Sequence, residues 1–229
     1  MKVLAVAAMT LELKPWLGRC GAVEKLPWPL AFARSAQWND AALYAVANGP
    51  GPGLASEALR VAMEKAGPFD LLISVGLCGA LDTELPLDSI CTADAVGDGE
   101  SAWPANPIAG AQVRRLLSID RFLGDTAEKQ KWAGRGFGIV EMEAASIARF
   151  AAENRVAFCA AKVVSDRADE SFAIDFNEYR DASGRFSNTR IALAAAAHPV
   201  RYGPDLYRMA SRGPAASEIL GEFLAKSRF

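Results

Sequence analysis

Glu143-Ala-Ala-Ser-Ile-Ala-Arg-Phe-Ala-Ala-Glu-Asn154 is followed, after one residue, by Val156-Ala-Phe-Cys-Ala-Ala-Lys-Val-Val164. In the first segment Ile147, Phe150 and Ala151 recur at three-to-four spacing and Asn154 suits an end, so it reads as a helix. The second is apolar throughout most of its length and reads as a buried strand ending at Ser165-Asp166. The same alternation extends outward. Val3–Ala8, Leu71–Val75, Ser89–Val96 and Gly138–Val140 read as strands, and Leu11–Leu17 and Leu54–Lys65 as helices. Leu30–Arg34 and Ala41–Ala47 flank Asn39-Asp40 as a hairpin. Asn48–Gly53 is a structural turn, Gly97–Pro107 a loop, and Gln112–Leu117 and Thr126–Trp132 short helices. From about Asp175 the pattern is helical, with Ile191–Ala197 and Ala216–Ser227 as its clearest runs. Strands alternating with helices define an α/β fold, a central mixed sheet flanked by helices in three layers. No linker or repeat interrupts residues 1–229, which are expected to form one domain.

Composition narrows the chemistry. The 229 residues carry 25 Lys+Arg against 27 Asp+Glu, a net charge of −2 without the basic excess of a nucleic-acid binder. A single histidine, His198, excludes a Ser-His-Asp enzyme and a His-rich metal site, so no metal is expected. The four cysteines are scattered without CxxC spacing, which points to a reducing, cytoplasmic setting. Val3–Ala8 is too short for a signal peptide or a membrane span. Proton chemistry then falls to carboxylates.

Ligands in open α/β sheets collect beyond the carboxyl ends of strands. Glu12 follows the first strand, Glu141-Met-Glu143 follows Val140, and Asp166 follows Val164. A water-activating base and a proton donor on opposite sides of a substrate suit hydrolysis by two carboxyl groups. Each acid also has a structural reading, as a turn cap or as a partner of a helix dipole.

Val140-Glu-Met-Glu-Ala-Ala-Ser-Ile-Ala148 followed by Val164-Ser-Asp166 resembles the signature of the purine nucleoside phosphorylase/nucleosidase superfamily. The opening Met1–Met9 with Glu12 resembles its 5′-methylthioadenosine/S-adenosylhomocysteine nucleosidase branch. Ser118-x-Asp120-x-Phe122-Leu123 resembles that branch's base-binding segment, and Ile73–Ala80 the superfamily's glycine loop, with Gly76 in it. The likeness spans about residues 1–170. It implies cleavage of the N-glycosidic bond of a purine nucleoside without a cofactor, by a homo-oligomer. Asp166, beside Ser165, would protonate N7 of the base, its carboxyl keeping a proton through partial burial. Glu143 would bind the ribose 2′ and 3′ hydroxyls, and Glu12 would deprotonate water. Met9 and Met142 would line the sugar, Phe122 would stack on the base, and Glu141 would support the site or serve as a buried structural acid.

The nucleophile is a separate question. Phosphate binding favours Arg forks and hydroxyls, whereas the glycine loop here presents Ser74 and Leu77, and Glu12 would repel a neighbouring anion. Hydrolysis of an adenosine 5′-derivative is the reading favoured over a phosphorylase and over a nucleoside-binding homologue without turnover. Leu77 also departs from the small hydroxyl residue usual in the nucleosidases. The segment from Gly97 to Gln112 is short for a wall around the 5′ group, which implies a more open site. The C-terminal part, 176–229, is read as a helical extension. It resembles the tail of hopanoid-associated nucleoside phosphorylase-like proteins, which remove adenine from adenosylhopane. From Arg180 onward it carries eight Lys/Arg and four Asp/Glu. That composition suits a solvated cap or an oligomer contact, with contact to a membrane surface as the alternative.

Overall fold

The computed structural model describes residues 1–181 and 184–228; Ala182, Ser183 and Phe229, all in the expected C-terminal extension, lie outside the described residues. Strand β1 (Lys2–Ala7) lies between β4 (Ala41–Ala47) and β5 (Leu71–Ala80), parallel to both. Strand β12 (Ala157–Asp166) runs parallel along the other side of β5. The sheet is mixed: β2 (Gly21–Lys25) and β3 (Phe32–Trp38) continue antiparallel beyond β4. Past the end of β5 the order is β11 (Ile139–Glu141), β10 (Leu116–Ser118), β7 (Ala95–Gly97) and β8 (Ala102–Pro104). The short β6 (Ile90–Thr92) joins β12 to β9 (Gln112–Val113).

Both faces of the sheet are covered, which is why its central strands are apolar at successive positions rather than alternating. Leu4, Val6 and Leu72 face the helices α2 (Pro52–Ala66) and α4 (Ala144–Asn154). Val3, Ala5, Leu71 and Ile73 face α1 (Thr10–Leu17) and the last helix, α6 (Pro199–Lys226). The two-residue strand period thus sends alternate side chains into two cores. Two further helices, α3 (Thr126–Ala133) and α5 (Asn188–Ala197), lie nearer the surface. Among the described residues no helix is long and apolar enough to cross a membrane.

Several local expectations are corrected. Gln112–Leu117 is not helical. It supplies β9 and most of β10, because Leu116 and Leu117 are fully buried where β10 pairs with β7 and β11. The segment 97–107 contains β8, paired with β7, and the run Ser89–Val96 is divided at Ala93-Asp94 into β6 and β7. Strand β5 passes through Gly76 to Ala80 rather than ending at Val75. Strand β3 begins at Phe32 rather than Leu30, and β2 is an exposed edge strand with no apolar pattern to announce it.

Candidate active site

Each acid is placed by the element that precedes it. The turn from β1 into α1 buries Glu12 in the first turn of the helix. Its Oε2 accepts from the N–H of Met9 at 2.7 Å, and its Oε1 from the N–H of Leu77 at 2.9 Å. Burial raises its pKa, and the two backbone donors oppose that rise. Gly76 makes this approach possible. Its φ is +153°, and a Cβ there would stand 2.5 Å from Glu12 Oε1.

Glu141 and Glu143 bracket the turn from β11 into α4. The Glu141 carboxylate receives the N–H groups of Glu143 (3.2 Å) and Ala144 (3.0 Å) at the helix N-terminus. Its Oε2 also meets Lys162 Nζ at 2.8 Å, and that ammonium donates to Ser74 Oγ at 2.9 Å. Burial pushes the Glu141 carboxyl up, but the charge and hydrogen bond of Lys162 outweigh it and hold the group below the usual carboxylate range. Glu143, at the N-cap of α4, accepts from Gly51 N–H at 2.7 Å. Burial, and then the charge of Glu141, raise its pKa to about 8. Three buried carboxyls thus surround one buried ammonium, and a proton on Glu143 relieves their repulsion.

Asp166 stands where β12 bulges. Val164 pairs with Cys78 and Asp166 with Gly79, so two residues oppose one and the strand re-aims its last side chain. Gly79 admits it, since a Cβ would lie 2.8 Å from Asp166 Oδ2. The Ser165 hydroxyl lies 3.1 Å from Asp166 Oδ1 and 3.2 Å from the Cys78 carbonyl. Asp166 also has a charged partner that its motif did not announce. Its Oδ2 forms an ion pair at 2.5 Å with Lys129 of α3, a fully buried side chain.

A cavity of about 610 Å³ opens beside Asp166; Glu12, Gly76, Glu141 and Glu143 are not among the residues that line it. Met9, Leu77, Phe122, Ser165 and Asp166 line it, and Gly49 and Pro50 border it. Phe122 is held edge-to-face by Phe172 and Phe176, with ring centroids 5.0 and 5.1 Å away. Asn177 clamps its backbone, accepting from Phe122 N–H at 2.8 Å and donating to Phe122 O at 2.9 Å. Leu123 and Met142 are buried and do not line the cavity; Leu123 packs with Leu81, Leu117 and Val140. Asp120 is turned outward onto Arg180, at 2.7 Å.

The C-terminal segment is more than an added cap. Phe186, Ile191, Leu206 and Met209 form one wall of the cavity, while Ala216, Leu220 and Leu224 of α6 are buried in the core. The short segment 97–112 contributes nothing to the cavity lining, and the tail covers the pocket from another side. Sequence reasoning missed Lys129, Lys162, Asn177 and this aromatic wall. Only Lys162 carried a signal, as a lone charge within an apolar strand.

The open, two-faced sheet with acids at three strand ends and a cavity beyond them defines an α/β fold of the nucleoside phosphorylase/nucleosidase type. Comparison with known proteins agrees: the model of the phosphorylase superfamily matches residues 109–197. No curated protein matches the sequence. Among solved structures, the 5′-methylthioadenosine/S-adenosylhomocysteine nucleosidase of Campylobacter jejuni shares 18% identity over 99% of this chain and 97% of its own, with a TM-score of 0.72. The corresponding nucleosidase of S. pneumoniae, bound to a transition-state inhibitor, gives 13% identity, coverage of 98% and 97%, and a TM-score of 0.75. Futalosine hydrolase of Helicobacter pylori gives 15% identity, coverage of 98% and 96%, and a TM-score of 0.71.

Proposed function

We propose that the chain hydrolyses the N-glycosidic bond of a purine nucleoside, an adenosine 5′-derivative, releasing adenine and a ribosyl product. The observation that carries this reading is Glu12, buried and fixed by two N–H donors beside Leu77 at the cavity wall. A carboxylate whose pKa is raised by burial is a stronger base toward water. Glu143, with Gly51 N–H as its partner, binds the ribose hydroxyls. Asp166 meets N7 of the purine, Ser165 steadies that carboxyl, and Phe122 stacks on the base. Met9 flanks the sugar, and Gly76 and Leu77 shape the space beside Glu12. Glu141 acts from behind, setting the charge of the Lys162 cluster, and Leu123 braces the base-binding turn from the core.

Water is favoured over phosphate on the same grounds. Of the arginines at the cavity, Arg212 is committed to Glu170 and Arg208 to Asp205, while Arg185 donates to Asn48. The backbone donors of Gly49 and Gly51 are already used, by Ala8 O and by Glu143. The apolar wall of the tail favours a bulky, apolar 5′ group, and extends the reading toward nucleosides with a lipid-like substituent such as adenosylhopane. The proposal includes a single domain over 1–229, a cytoplasmic setting supported by four unpaired cysteines, and a homo-oligomer. Leu193, Val200 and Tyr207, exposed on the tail, support contact with a second copy.

The test is release of free base from 5′-methylthioadenosine, adenosine and inosine, followed by chromatography with and without phosphate. Equal release under both conditions is expected. Strict dependence on phosphate would make the protein a phosphorylase, and tight binding without release a nucleoside-binding protein.

A further inference from the structure

We infer that Lys129 is the positioning residue for Asp166 and the reservoir of the proton that the leaving purine takes up. This inference rests on the nucleosidase reading above. Lys129 comes from α3, outside every motif that points to the site, and has no surface exposure. Its three N–H donors are all used: Asp166 Oδ2 at 2.5 Å, Arg167 O at 2.8 Å and Glu170 O at 3.2 Å. Burying an ammonium is costly, and an apolar side chain could fill the same space without that cost. The ammonium is paired with Asp166, which among the described residues is the one carboxyl that lines the cavity.

In the 2.5 Å contact Lys129 Nζ is the donor and Asp166 Oδ2 the acceptor, so the proton nearest the cavity on this pair is carried by the lysine. As the C1′–N9 bond lengthens, its electron pair passes into the purine and N7 becomes basic. A proton then moves from Lys129 Nζ to Asp166 and from Asp166 to N7. Lys129 is left as an amine and Asp166 as a carboxylate. The proton that Glu12 takes from water balances the sum when it is released to solvent and Lys129 is recharged. The groups facing the pair fit this assignment. From β12 and β5 come the Ser165 hydroxyl and the Cys78 carbonyl and thiol. From α6 comes Arg212, whose charge reaches Asp166 while Glu170 holds it at 2.7 and 3.0 Å. Arg167 is turned onto Asp169. Lys129 is the only one of these cations in contact with Asp166 among the described residues.

The test compares two leaving groups. Adenine leaves 5′-methylthioadenosine only with a proton, whereas nitrophenolate leaves 4-nitrophenyl riboside without one. Lys129→Met should lower kcat on the purine substrate about 100-fold, with KM changed by less than about threefold, and should change kcat on the nitrophenyl riboside by less than about threefold. Lys129→Arg keeps a positive charge beside Asp166 but cannot give up its proton, so it should leave most of the loss in place, and full rescue by Arg would overturn the reservoir role. Equal losses on both substrates, or no loss on either, would overturn the inference in favour of a structural lysine. Should Lys129→Met alone not fold, Asp166→Asn is compared with Asp166→Asn/Lys129→Met, in which no lone charge remains. The two should cleave the purine substrate at the same residual rate, and a further drop in the double variant would count against a role through Asp166. Wild-type protein that cleaves neither substrate removes the nucleosidase reading as well. An active wild type with Lys129→Met at full rate removes this inference alone.

Discussion

Glu143 shows at the scale of one residue how burial and function meet. Its pKa is raised from 4.5 to about 8, by burial first and by Glu141 second. Between those values the folded protein keeps a proton that the unfolded chain has lost. Stability from this group is therefore complete below about pH 4.5 and is lost as pH rises through about 8. Glu143→Gln lacks this dependence. Its unfolding free energy, measured by urea titration at pH 5 and 8.5, should fall less than that of the wild type by something on the order of a few kcal/mol. Parallel losses in the two proteins would place the titration elsewhere. Glu12, Glu143 and Asp166 were legible in the sequence because each follows a strand within a short motif. Lys162 and Lys129 were not, because their carboxylate partners lie 21 and 37 residues away and no local pattern joins them.

Among elements, α6 joins the site to the core. Leu206 and Met209 of its first half face the cavity, while Leu220 and Leu224 of its second half are fully buried in the cluster that contains Leu13 and Trp16 of α1. Leu220→Ala removes a buried side chain from that contact and should destabilise the protein by about 2–5 kcal/mol, seen as a lower urea midpoint with an unchanged slope. A loss below about 1 kcal/mol would mean that α6 is only loosely attached. The helices α2 and α4 and the strands β1, β4 and β12 were legible because their apolar periodicity is strong. Gln112–Leu117 was misread because Leu116 and Leu117 are set by pairing with β7 and β11, a long-range contact that local pattern does not record. The edge strand β2, exposed along its length, had no pattern to read.

For the molecule as a whole, one sheet with two covered faces brings β5 and the ends of β1 and β12 to a single cavity. The alternation of strands and helices made that fold legible, whereas the tail's place over the cavity was not, since helical composition alone does not say what a helix covers. In the proposed reaction water attacks C1′. It is tested by supplying 5′-methylthioadenosine in ¹⁸O-labelled water containing phosphate, and identifying the sugar product by mass spectrometry. The expected product is free methylthioribose with one ¹⁸O at C1′. A methylthioribose 1-phosphate, without label at C1′, would contradict it.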